Sequence, residues 1–201
     1  MRALVIGNSH VNRLKQIAEP HFDHLGTRVF VNYYGVSGGS FHTFTNNNCA
    51  LLRWLKNRFN PQVVLCIIGG NAVSLIDDNQ TYYIVAEGFY QSVKLIFDGA
   101  YIVASQLEAR YYQPGNRFNA PLEAKYKSRR VSINHFINSL KFKDHLLMLS
   151  GRNRLDNESM YEPDKQGNLV HFTSPGYSKL NTYIHNTIKY VMNFHRELFE
   201  N

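Results

Sequence analysis

With 201 residues, 44% of them apolar, and with 13 Tyr and 13 Phe, the chain carries enough hydrophobic material for one full-sized core, which excludes intrinsic disorder. No apolar run approaches the roughly 20 residues of a membrane-spanning helix, and its two cysteines, Cys49 and Cys66, form neither a disulfide framework nor a metal motif. The net charge of +7 is concentrated: residues 110–154 hold ten Lys/Arg against Glu123 and Asp144, and the rest of the chain sums to −1.

The first predicted strand, residues 3–7, is apolar and runs into Asn8-Ser9-His10 and a helix over 11–19. A strand over 28–34 follows, then the small-residue loop Gly35-Val36-Ser37-Gly38-Gly39-Ser40 and a helix over 43–59, where Leu51, Leu52, Leu55 and Phe59 recur at helical spacing. Residues 63–69 are apolar throughout, as buried parallel strands are, and Cys66 reads there as a small hydrophobe. Gly69-Gly70-Asn71-Ala72 closes that strand. A helix over 79–97, a strand over 100–105, a basic helix over 121–140 and a strand over 145–150 come next. A long polar loop, 151–167, leads to Asn168-Leu169-Val170-His171, with His171 read as a loop residue just before the last helix. Ser174-Pro175 gives that helix, 175–198, its cap and first-turn proline, and Tyr177, Leu180, Ile184, Ile188, Val191 and Phe194 form its apolar stripe. Alternation of strand and helix predicts an α/β fold, a three-layer α/β/α sandwich with right-handed crossovers, as a single domain over 1–201. The chain enters a strand at once, with no leader-like segment ahead of it, which leads to the expectation of an intracellular, cytoplasmic protein.

In a parallel sheet, loops that follow strand ends share one edge, where open α/β folds bind ligands. Here they bring Ser9, glycine N–H groups and the Asn71 amide to one place, with His171 approaching from late in the chain. A hydroxyl and an imidazole are the minimum for covalent acyl transfer, and N–H donors beside them suit an oxyanion. His10 reads as a pocket residue beside Ser9 or as a surface residue at the helix start. Arg110 reads as a contact for an anionic substrate or as a solvated loop arginine. No cofactor is expected: the glycine loop at 35–40 lacks the P-loop lysine and the dinucleotide fingerprint, and the histidines lack metal-ligand spacing.

The segments Gly7-Asn8-Ser9, Ser37-Gly38, Gly69-Gly70-Asn71-Ala72 and Asn168-Leu169-Val170-His171 resemble, in order, the four motif blocks of the SGNH (GDSL-like) hydrolases. The opening Asn8-Ser9-His10-Val11-Asn12-Arg13-Leu14 is similar to the retroelement-associated esterase branch. The resemblance implies a flavodoxin-like parallel five-stranded sheet of order 2-1-3-4-5. It implies a serine esterase or deacylase acting on a small acylated substrate. Ser9 would be the nucleophile and His171 the base. The Ser9 and Gly38 N–H groups and the Asn71 side chain would form the oxyanion hole. Three family acids are replaced, by Asn8, Ala72 and Asn168. At Asn168 the loss touches the triad, since an acid there orients and stabilises the imidazolium. Asp164 is an alternative acid, a backbone carbonyl could orient the ring instead, or the enzyme is slow or inactive. The competing function is a weak or inactive binding module for RNA or anionic lipid through the basic region 110–154, whose plainer reading is a solvated helix face.

Overall fold

The computed structural model describes residues 1–110, 120–149, 155, 157–163 and 169–195. The central strand β1 (Arg2–Gly7) pairs in parallel with β3 (Thr27–Gly35) and β4 (Val63–Ile67), and the parallel sheet continues through β5 (Tyr101–Ser105) to β6 (His145–Leu147). Those five strands keep the expected order 2-1-3-4-5. The five-strand expectation is corrected by β2 (His21–His24), which pairs antiparallel to β3 and makes a six-stranded sheet, β2-β3-β1-β4-β5-β6. A two-residue turn creates this edge: Leu25 and Gly26 both have positive φ, 50° and 74°, the geometry that suits a tight hairpin.

Alternating strand residues feed two cores. On one side Leu4, Ile6, Val64, Cys66 and Ile102 pack under α2 (Phe41–Phe59), α4 (Asn79–Ile96) and α5 (Ala120–Ser139), with Phe41, Tyr82, Phe89 and Ile133 buried. On the other, Val5, Val31, Leu65 and Val103 pack under α1 (Ser9–Ile17) and α6 (Ser174–Phe194), with Leu14, Leu180 and Ile188 buried. This period-two division is what a strand buried on both faces requires. The helix expected over 43–59 is interrupted: Asn47, Asn48 and Cys49 sit in left-handed backbone within α2. No helix among the described residues is long and apolar enough to cross a membrane.

Two short elements lie at the edge of the sheet where the parallel strands end. One is α3 (Gly70–Leu75), which carries Asn71. The other is an antiparallel hairpin of β7 (Tyr161–Pro163) and β8 (Leu169–Phe172). His171 therefore stands on a strand, not in the loop expected for it, because Phe172 is anchored among Tyr161, Tyr177 and the α6 core.

Candidate active site

β1 leaves the sheet at Gly7 and turns straight into α1. The Asn8 side chain caps the helix, accepting the His10 N–H at 3.0 Å, so Ser9 opens the first turn half-buried at the sheet edge. Asn8 thus has a local structural task. Its buried Nδ2 has no hydrogen-bond partner among the described residues. The neighbouring loop is drawn in by a hydrogen bond from the Asn12 amide to Ser37 Oγ, 3.2 Å. Gly38 has φ +73° with open space where a Cβ would stand, so backbone conformation rather than crowding requires glycine.

The Asn71 side chain has a defined orientation. Its Oδ1 accepts from Arg110 Nη2 at 2.8 Å, and its Nδ2 donates to the Gly39 carbonyl at 3.1 Å. A guanidinium can only donate and a carbonyl can only accept, so the two partners together exclude the flipped amide. Nδ2 keeps a second hydrogen.

Behind Asn71 lies a buried charge cluster that the sequence reading missed in part. Glu108 has a side chain only 3% exposed, with Oε1 3.5 Å from both His10 Nε2 and Arg110 Nη2. Burial opposes its ionisation. A hydrogen bond and charge from His10, followed by the Arg110 guanidinium, outweigh that cost and bring its pKa down to about 2. His10 is buried rather than at the surface, and its Nδ1 lies 3.4 Å from the Tyr177 hydroxyl. Tyr126, on α5, donates to the Glu108 carbonyl at 3.1 Å and sets its ring 5.1 Å from the Arg110 guanidinium carbon. The overlooked signal was positional. Glu108 follows the fourth parallel strand, on the same edge as the glycine loops, where only Arg110 was singled out.

His171 is half-buried, its ring edge-on to His10 with 5.7 Å between centroids. Its cross-strand neighbour is Glu162, whose carboxylate meets Arg13 Nη1 at 2.6 Å and so ties the hairpin to the helix that bears Ser9. Asn168 and Asp164 lie outside the described residues. A cavity of about 370 Å³ is lined by Ser9, His10, Gly38, Asn71, Arg110 and His171, together with Arg13, Ser37 and Val170, which were not foreseen. No group of His, Cys, Asp and Glu suited to a metal occurs among the described residues.

The basic region is not uniformly a surface. Arg129 is 8% exposed and donates to the Val73, Ile76 and Asp78 carbonyls and to Asn79 Oδ1, while Lys125 pairs with Asp77 at 3.0 Å.

No family model matches the sequence, and no curated protein matches it. Solved structures do. A proposed SGNH hydrolase from Slackia heliotrinireducens superposes with a TM-score of 0.63 at 16% identity, over 94% of this chain and 98% of that one. A GDSL-like lipase from Bacteroides thetaiotaomicron gives 0.61 at 16%, over 94% and 88%. A family 3 carbohydrate esterase from Clostridium thermocellum gives 0.61 at 16%, over 98% of each chain. At such identities the likeness is one of fold, and the fold is that of the SGNH hydrolases.

Proposed function

We propose that this protein is an SGNH-type ester hydrolase that acts on a small acylated substrate through Ser9. The observation that carries this reading is the convergence on one cavity of a helix-start serine, a histidine, a left-handed glycine and an amide whose N–H end is fixed by its neighbours. The SGNH fold supports it. In the proposed reaction the Ser9 hydroxyl attacks the acyl carbonyl while His171 takes its proton. The tetrahedral oxyanion is held by the Ser9 and Gly38 N–H groups and the Asn71 amide. Collapse breaks the bond to the alcohol, which leaves with the proton from His171. Water, deprotonated by His171, then attacks the acyl-serine and releases a carboxylic acid and free Ser9.

The test is twofold. A fluorophosphonate probe should add one label, located by peptide mass at Ser9. Ser9→Ala should lose both the label and hydrolysis of 4-nitrophenyl acetate while its far-UV circular dichroism stays unchanged. Equal turnover by the variant rejects the assignment.

A further inference from the structure

We propose that the buried Glu108 carboxylate, acting through Arg110, fixes the Asn71 amide with its N–H₂ end toward the cavity and so sets the strength of the oxyanion hole. Glu108 is thus a positioning residue, and the proposal rests on the esterase reading. The two ends of a carboxamide are nearly alike in shape and opposite in hydrogen bonding. Turned over, Asn71 would present a carbonyl to a developing oxyanion and repel it. What prevents this is the pair of contacts at its two ends, Arg110 Nη2 donating to Oδ1 at 2.8 Å and the Gly39 carbonyl accepting from Nδ2 at 3.1 Å.

An arginine side chain has much rotamer freedom, so it must itself be held. Glu108 does so as its countercharge at 3.5 Å, and the Tyr126 ring packs against the guanidinium from α5. The carboxylate is in turn confined. A Cβ on Gly70 would overlap Glu108 Oε1 and stand 2.9 Å from Arg110 Nη2, so glycine at the start of α3 leaves the space that the ion pair fills. The Arg110 side chain is only 11% exposed. Removing the carboxylate takes a countercharge from a mostly buried guanidinium, a cost that turning into the cavity would relieve. That movement would release Asn71. Glu108 also faces His10 Nε2, on the residue that follows Ser9.

A residue that works through another is revealed by non-additivity. Asn71→Ala should lower kcat on 4-nitrophenyl acetate by about 10²–10³-fold. Glu108→Gln should lower kcat by at least about tenfold with KM within about twofold, and the double variant should be no slower than Asn71→Ala alone. Multiplicative losses would overturn the proposal. So would a rise in KM at unchanged kcat, which would make Arg110 a substrate contact instead. If Glu108→Gln does not fold, Arg110→Lys carries the same cycle, since it keeps the countercharge and loses the fork. A second readout needs no turnover: the side-chain ¹⁵N–¹H₂ signals of Asn71 should shift and broaden in Glu108→Gln. Unmoved signals overturn the proposal. Responsive signals in a protein that neither labels at Ser9 nor hydrolyses esters uphold the positioning and remove the esterase reading.

Discussion

A neutral amide at the third triad position can orient an imidazole but cannot offset its charge. In serine proteases the exchange of Asp for Asn in this role lowers kcat about 10⁴-fold, because the imidazolium formed during acylation loses its counterion. On the proposed esterase reading, Asn168 falls at that position in the sequence. Among the described residues, Glu108 is committed to His10 and Arg110, and Glu162 to Arg13. Asn168→Asp is therefore expected to raise kcat at least about tenfold, or roughly 1.4 kcal/mol of transition-state stabilisation, with the gain read from steady-state hydrolysis of an aryl ester. If Asp164 supplies the charge instead, Asn168→Asp will change little and Asp164→Asn will cripple turnover.

At the scale of elements, what the sequence disclosed followed the strength of its patterns. β1, β4, α2 and α6 announced themselves through unbroken apolar runs or helical periodicity. β2 and the β7–β8 hairpin did not, because three or four residues of mixed polarity have no measurable period and their place is set by a turn or by one anchored aromatic such as Phe172. Ser9, Gly38, Asn71 and His171 were legible as motif residues, whereas Glu108 belongs to no motif and gains meaning only from the three-dimensional neighbours that surround its charge. The basic helix shows the converse: a run of cations looks like one surface until packing divides it. Arg129 stitches the α3–α4 connection through four hydrogen bonds, three of them to backbone carbonyls, while Lys127 is exposed. Arg129→Ala should therefore destabilise the fold by about 2–4 kcal/mol, since it leaves the buried Val73 carbonyl and the half-buried Ile76 carbonyl unmatched. Lys127→Glu should leave both stability and hydrolysis unchanged. Urea unfolding of the two variants separates a structural cation from a solvated one, and equal midpoints would mean that the stitch contributes nothing.

For the whole molecule, the buried cluster couples the site to acid stability. The Glu108 carboxyl is held at about 2 in the fold, against 4.5 for an ordinary glutamate. Its folded value is the depressed one, so its contribution is complete above about pH 4.5 and is lost as pH falls from there towards 2. Linkage puts the full contribution at about 3 kcal/mol, and the protonated carboxyl can no longer balance Arg110. Asp78 is also held below its usual range, by the Thr81 N–H at the start of α4, but it is exposed and screened, so the cluster should dominate the acid limb. Thermal unfolding followed from pH 7 to pH 2 should show the wild type losing stability steeply below about pH 4.5. Glu108→Gln should start lower at pH 7 and fall with a shallower slope, the two curves converging at the acid end. Parallel curves would mean that Glu108 is not ionised in the folded protein, and the ion pair with Arg110 would then exert no hold on Asn71.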